Sequence, residues 1–407
     1  MIIVVGGGPG GMMAAIRAAS LGQEVILLEK KSSLGNKLLL SGKGRCNLTN
    51  NCSLDIFLKR FFRNGEFLRD AFKKFFNKDL IDFFQERGLK LKVERQLRVF
   101  PESDTSSSIL AVLKKELESL GVRVIYKSPV KKILTENGAV KAVEITNATV
   151  LAADKIILAC GGASYSFTGS DGSGFEVAKS LGHTVVALRP GLVPLETKQK
   201  YPLEGLSLKN IRLKLSCGKK QVISEIGELL FTDFGISGPL VITLSGKVSD
   251  WLKEGLQVYA EIDLKPALSV EQLDARLLRE FKLNSKKTLK NALKTLLPLR
   301  LIDVFLKISG LEAQKKVSHI TQKERQAIIG LLKGLRFDIV KARPLEEAMV
   351  TAGGVSLKEI NPRTMESRLI KGLYFAGEMI DIDADTGGFN LQAAFSTGYL
   401  AGESAAA

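Results

Sequence analysis

The sequence predicts an α/β fold in which a domain built on a parallel sheet is interrupted by a β-rich insert and a basic helical one. Three observations carry that expectation. The chain opens on MIIVVGGGPGG, a short apolar run followed at once by glycines. Near its other end, KGLYFAGEMIDIDADTGGFNLQAAFSTGYLAGE repeats the order of apolar strand, Gly-rich loop and helix. Between them the apolar pattern changes near Pro190 to short strands with turn signals, and beyond Pro266 to amphipathic helices.

Ile2 to Val5 is an apolar run of the length of a buried parallel strand. Gly6, Gly8 and Gly11 occupy the positions of a G-x-G-x-x-G loop that includes Pro9 and Gly10, and MMAAIRAASLG continues as a helix. Gly6 permits the tight turn and Gly8 lets the backbone approach a pyrophosphate. Gly11 lets helix and strand pack closely while the helix N-terminus faces the anion. A second strand, EVILLE, ends at Glu29, about 20 residues past the loop, where a carboxylate can bind a ribose hydroxyl. Strand, loop, helix, strand and acid in register imply a dinucleotide.

The next stretch, KKSSLGNKLLLSGKGRCNLTNN, breaks periodicity and reads as a loop that wraps something. Ten of the chain's 20 Phe then fall between Phe57 and Phe100, mostly at helical spacings, which makes them core residues rather than stacking platforms for bases. Ser106 to Leu120 reads as an amphipathic helix. GVRVIYK, VKKILTE, AVKAVEI and ATVLAA read as strands, and KIILACGG as a buried one. LVPLET, LKNIRLKLS, KQVISEIGELLFT, GPLVITLS and LQVYAEIDL predict an all-β insert, sandwich or barrel. SVEQLDARLLREF and TQKERQAIIGLLKGL show helix starts followed by amphipathic repeats. The expected domains are 1–190 with 356–407 for the nucleotide, 191–265 with 335–355 for the β-rich part, and 266–334 for the basic helices.

Hydrophobic content of 45% and charged content of 25% match a globular protein. No apolar run reaches the roughly 18 residues of a membrane span, and no basic export-signal region precedes the first strand, so the expected compartment is the cytoplasm. Cys46, Cys52, Cys160 and Cys217 show no C-x-x-C spacing and only His183 and His319 accompany them, so no metal or dithiol site is expected. The formal net charge of +16 is concentrated. From Arg276 to Arg343 there are 17 Lys and Arg against 5 Asp and Glu, and from Phe57 to Phe100 there are 12 against 6. A positive field confined to particular segments points to a polyanionic partner. The alternative is that these lysines are simply solvated helix faces.

Three segments, SGKGRCNLTN at Ser41 to Asn50, ACGGASYSFTGSDGSG at Ala159 to Gly174 and GEMIDIDADTGGFNLQAAFSTG at Gly377 to Gly398, together resemble one family. The chain is similar over essentially its whole length to bacterial FAD-binding oxidoreductases of the aminoacetone-oxidase-like family. The resemblance implies a glutathione-reductase-type FAD domain interrupted by a β-barrel-like domain and a helical domain. It also implies one of three activities: aminoacetone oxidation, reduction of conjugated steroid enones, or synthesis of dihydrouridine in ribosomal RNA.

A second glycine loop suits FAD more than NAD, because an extended FAD needs contacts for its ribityl chain and flavin ring as well. The resemblance places Gly377 and Glu378 at the ribityl and phosphate region. It puts Gly387, Gly388, Asn390 and Leu391 at a helix N-terminus beside the flavin pyrimidine edge, whose charge on reduction the dipole would stabilise. Lys37, Ser41, Gly42 and Arg45 are candidates to clamp the pyrophosphate, and Lys30, Gly161 and Val130 to complete the nucleotide site. For Arg45 the alternative is a surface salt bridge.

Flavin carries the redox chemistry, so the protein needs to supply orientation and at most one acid. Cys46 is a weak candidate for that acid, its alternative being a buried packing residue. Tyr165 is a second weak candidate and, with Thr168, is expected near the substrate face. His183 is expected to be structural, and His319 falls in the basic insert. NAD(P)H is the expected transient donor, since no further G-x-G-x-x-G follows a strand. The favoured acceptor is a ribosomal RNA uridine, reduced at its 5,6 double bond, because a small substrate gives no reason for the charge map. The alternatives are a small-molecule amine oxidase or enone reductase, and a flavin-stabilised RNA-binding factor without turnover.

Overall fold

The computed structural model describes residues 1–146 and 148–407. These form two compact units, Met1–Gly191 with Pro344–Ala407, and Leu192–Arg343.

The first unit is built on a five-stranded parallel sheet in the order Leu373–Phe375, Lys155–Leu158, Ile2–Val5, Val25–Leu28, Arg123–Ile125. Ile2, Ile3, Val4 and Val5 are all buried, as the run without alternation requires of a strand covered on both faces. Val5 pairs with Leu158 on one side and Leu28 on the other, and Leu158 with Phe375, so four strands end level and their following loops share one edge.

The helix Pro9–Ser20 begins with Pro in its first turn and packs against the closing helix Phe389–Ala406. Glycines set the closeness of that packing. A Cβ on Gly398 would overlap the Gly10 carbonyl, and one on Gly402 the Ala14 carbonyl. The two ends of the chain are thus locked through backbone-to-backbone approach.

Around this centre lie an antiparallel sheet of Val130–Glu136, Ala139–Ile145 and Val150–Ala152, and a small one of Thr49–Asn50, Leu91–Val93 and Arg98–Pro101. The Phe-rich stretch forms the helices Leu54–Leu58, Arg69–Lys74 and Asn77–Glu86. Its rings face inward as their spacing predicts. Phe57 meets Phe72, Phe76 and the closing helix's Phe389 edge-on, at centroid distances of 5.2, 5.1 and 4.7 Å. The stretch expected as loop after Lys30 contains one short helix, Asn36–Leu40, entered through Gly35 in the left-handed region.

In the second unit, strands Ser207–Cys217, Gly227–Phe231, Gly235–Ser237, Leu195–Thr197, Leu335–Ala342 and Val258–Asp263 pair in that order, and the last pairs back to the first. The sheet is therefore a closed six-stranded barrel, with Lys220–Ile223 as a hairpin arm on its longest strand.

The structure corrects the sequence expectation at three points. GPLVITLS is not a strand but the start of the helix Pro239–Lys253, whose Leu240, Val241, Leu244, Val248 and Trp251 repeat at helical spacing and are buried. The eight residues alone could not show that period, and Pro239 opens the helix where its missing N–H costs nothing. The helices from Val270 to Lys333 do not form a separate domain. Leu273, Leu277, Phe305, Ile328 and Leu332 share one apolar core with barrel residues Leu213, Leu215, Val258 and Phe337. The β-rich region also ends earlier than 355, because Val350–Val355 pairs antiparallel with Val185–Gly191 in the first unit. No helix among the described residues is long and apolar enough to cross a membrane.

Candidate functional site

The level strand ends of the first unit put Gly6–Gly11, Glu29–Gly35, Ala159–Gly172 and Ala376–Gly388 at the carboxyl edge of one parallel sheet, where open α/β folds bind ligands. Their backbones interlock. A Cβ on Gly6 would lie 2.5 Å from the Ala159 carbonyl oxygen, and one on Gly11 would overlap the Gly6 carbonyl. A Cβ on Gly10 would come within 3.4 Å of the Gly377 nitrogen. Gly8 differs from all of these, since nothing lies within 4 Å of where its Cβ would be. That open space is at the N-terminus of Pro9–Ser20, whose first amides have no intrahelical acceptor.

Glu29 is buried, and its two carboxylate oxygens accept from the Gly7 amide at 2.8 Å and the Lys31 amide at 2.7 Å. The acid is thereby held against the glycine loop. Ser128 N donates to Glu29 O at 3.0 Å and Lys127 N to Lys31 O at 3.0 Å, so the segment leading to Val130 runs alongside Glu29–Lys31. Lys30 reaches the third loop, donating to Asp171 at 2.5 Å and Ser173 at 3.0 Å. In that loop the Ser170 hydroxyl is buried with no hydrogen-bond partner among the described residues, and faces the Gly161 backbone. An open cradle over a helix N-terminus and an orphaned buried hydroxyl nearby fit an extended dinucleotide along this edge.

Lys37 and Glu378 are brought together at 2.7 Å, and Ser164 and Thr351 complete their cluster. Ser41 and Gly42 form a tight turn whose Ser41 hydroxyl donates back to Leu38 O at 2.6 Å. The stretch that follows meets the start of the closing helix. Asn50 donates to Gly387 O at 3.2 Å and Thr49 to Gln392 at 2.6 Å, while a Cβ on Gly388 would overlap the Thr49 backbone. Asn390 spends its side chain on the same loop, accepting from Ala384 N and donating to Ala384 O, both at 2.9 Å. Leu391 lies partly buried one residue further on.

Two of the expected site residues are engaged within the protein itself. One is Arg45. Its guanidinium pairs with Glu94 and Asp104, each at 2.5 Å, and stacks on Phe100 at 4.3 Å, the salt-bridge alternative. Those two carboxylates push its pKa further up. Cys46 is fully buried in a left-handed turn, and burial raises its thiol to about 12, which fits the alternative of a packing residue.

Tyr165 stands in the left-handed region, a costly conformation for a bulky residue, at the centre of the third loop. Thr168 secures it by donating from its hydroxyl to Tyr165 O at 2.7 Å, and burial raises the phenol above its ordinary pKa. His183 is buried and held on both ring nitrogens. It sits between Glu359 at 3.0 Å and Ser367 at 2.9 Å, edge-on to Phe375, and burial lowers its pKa. His319 is exposed on the second unit.

Ser164 and Ser170 lie in the Ala159–Gly174 segment but do not stand out within it, and Thr351 carries no local signal because its partners, Ser164 and Glu378, are distant in sequence. Asp381 had one, the alternation of Asp381, Asp383 and Asp385 with apolar residues. Its carboxyl is raised by burial against the opposing pull of Arg189 and Arg63.

Comparison with known proteins bears on these features. The family model described as the HI0933-like protein Rossmann domain matches residues 1–404. A 3-dehydro-bile acid delta(4,6)-reductase of Clostridium scindens is 34% identical over 409 residues, spanning 99% of this chain and 98% of that protein. A ribosomal RNA dihydrouridine synthase of Haemophilus influenzae is 30% identical over 405 residues, spanning 98% and 96%. A solved 3-ketosteroid delta1-dehydrogenase from Sterolibacterium denitrificans superposes with a TM-score of 0.54 at 13% identity, over 100% of this chain and 99% of that one. The last likeness is one of fold.

Proposed function

The chain belongs to the HI0933-like Rossmann family of flavin-type oxidoreductases, and from that premise we propose that it reduces a carbon–carbon double bond conjugated to a carbonyl, its substrate being a uridine of ribosomal RNA. The observation that carries the FAD part is the open space over Gly8 among glycines that otherwise admit no side chain. Gly6, Gly8, Gly10 and Gly11 would hold the pyrophosphate, Glu29 the ribose and Gly161 with Ser170 the adjoining chain. Gly377, Glu378 and the Gly387–Leu391 segment would hold the ribityl and flavin end. FAD, when bound there, supplies two-electron hydride carriage between a donor, NAD(P)H in this reading, and the acceptor.

The names of both full-length relatives denote saturation of double bonds, in a 3-dehydro-bile acid and in uridine. In uridine hydride adds to the carbon β to a carbonyl and a proton to the α carbon. In the conjugated dienone hydride adds to the β or, one double bond further out, the δ carbon, so both acceptors take hydride at an electron-poor end of a carbonyl-conjugated double bond. Tyr165 is the residue we assign to that proton, because it carries a hydroxyl donor in the third loop on a backbone held in place. Asp381, whose carboxyl burial raises, is the second candidate.

Between the two acceptors, the charge map favours RNA. A stretch from Phe281 to Ile302 carries six Lys and Arg and no Asp or Glu, which a small steroid-like substrate does not call for. A target base must leave its stack to meet the flavin. The bile-acid reading stands second, on the 34% identity to that reductase.

The test is a map of dihydrouridine in ribosomal RNA from a strain lacking the gene. Loss of one dihydrouridine, restored by the wild-type gene and not by a Gly8→Val form, is expected. An unchanged map would remove the RNA assignment and leave the enone reductase. RNA binding with an unchanged map would leave the non-catalytic RNA-binding factor.

A further inference from the structure

Within the second unit, two segments far apart in sequence are joined by backbone pairing. Thr288 bridges Lys316, Leu289 N donates to Lys315 O at 2.8 Å, and Val317 N donates to Lys287 O at 3.1 Å. Leu289 and Val317 turn into the core, so the junction is rigidly anchored. Of its other residues Thr288 and Lys315 are half-buried, and Lys287 and Lys316 are exposed. Lys286 and Lys287 precede Thr288 in the chain, Lys316 lies opposite it, and Lys282 closes the helix Val270–Leu283 just before them; all four lysines are exposed.

Their neighbours separate two kinds of lysine. Lys290 is held by Asp303 at 2.5 Å and Lys315 by Glu324 at 2.6 Å. Lys282, Lys286, Lys287 and Lys316 have no ion pair among the described residues. Four unneutralised ammoniums gathered on one fixed junction cost self-repulsion, which a polyanion relieves. Leu283, among them, is 76% exposed and supplies an apolar surface beside the charge.

We propose that Lys282, Lys286, Lys287 and Lys316 form a phosphate-binding clasp on the second unit that grips the backbone of the RNA substrate. The inference rests on the RNA reading above. It narrows that reading, since Lys290 and Lys315, though in the same stretch, are committed to carboxylates and take no part.

The test uses the full-length holoprotein and a fluorescein-labelled single-stranded oligouridylate, with affinity measured over a salt series. Two variants of equal charge loss are compared: Lys282, Lys286, Lys287 and Lys316 each→Gln, and as control Lys115, Lys131, Lys132 and Lys141 each→Gln on the first unit. Each phosphate contact to a single strand contributes about −0.7 to the slope of log affinity against log salt, so the clasp variant should be shallower by about 3 while the control keeps the wild-type slope. FAD absorbance and the reduction of a small enone by the clasp variant should stay at wild-type level. A clasp variant with the wild-type slope, or a control that loses as much, would overturn the clasp and leave the RNA reading intact. A wild-type protein that shows no salt-dependent binding would overturn the RNA reading itself.

Discussion

Gly8 and Gly11 are three residues apart in one motif, yet the structure gives them opposite roles. A methyl at Gly8 meets nothing of the protein, and its backbone lies in the extended region, so Gly8→Ala should fold with an unchanged melting temperature. In the proposed cradle the same methyl would stand in the way of the pyrophosphate, so that variant should lose FAD at least about tenfold, read from flavin absorbance after desalting. Gly11→Ala pushes into the Gly6 carbonyl and should instead lower stability by about 1–3 kcal/mol. A Gly8→Ala protein that binds FAD normally would contradict the assigned cradle.

His183 gives a pH prediction. Its folded pKa lies below the ordinary 6.5 because it is buried, so the unfolded chain takes up a proton first as the pH falls. Its stabilising contribution is whole above about pH 6.5 and declines below it. Glu359, lowered in the folded state, loses its own contribution only further down, below the ordinary carboxylate range. Melting temperature should therefore drop between about pH 7 and pH 5, and His183→Gln, though less stable throughout, should show a flatter profile across that window. Equal slopes in the two proteins would remove the assignment.

At this scale the sequence was readable where a motif dictates backbone, at Gly6 to Gly11 and Glu29. It was misleading where a side chain had a choice of partners. Arg45 sits in a loop full of site residues, but Glu94 and Asp104, half a hundred residues away, claim it.

Among elements, the closing helix does most to complete the site, because it brings the second glycine loop to the first. Its Gly398 and Gly402 face the Gly10 and Ala14 carbonyls with no room for a methyl. Gly398→Ala should cost about 1–3 kcal/mol, checked by denaturant titration, and should weaken FAD retention as well, since Gly10 belongs to the cradle. Loss of stability with full FAD affinity would show that the two helices can separate without disturbing the loop. The elements were legible wherever the period ran long enough, as in Val270–Leu283 and Gln322–Lys333, both opened by capping boxes. GPLVITLS misled because a β-branched run after Gly-Pro satisfies strand and helix alike until Val248 and Trp251 extend the period.

For the whole molecule, the discontinuity of the nucleotide domain could be read from the two glycine loops, and the barrel from its strand spacing. Its partition could not. Whether the basic helices stand alone depends on Leu273, Phe305 and Leu332 meeting barrel residues in one core, which no local pattern encodes. The same holds for the charge. Composition located the excess of lysine, but only folding shows that Lys290 and Lys315 are neutralised while Lys282, Lys286, Lys287 and Lys316 have no ion pair among the described residues.

The most direct test of the central claim is anaerobic mixing of the photoreduced holoprotein with acceptors while flavin absorbance is followed. Ribosomal RNA from a strain lacking the gene should reoxidise the flavin, and ribosomal RNA already carrying the modification should not. Reoxidation by a conjugated steroid enone, with none by unmodified ribosomal RNA, would contradict the account.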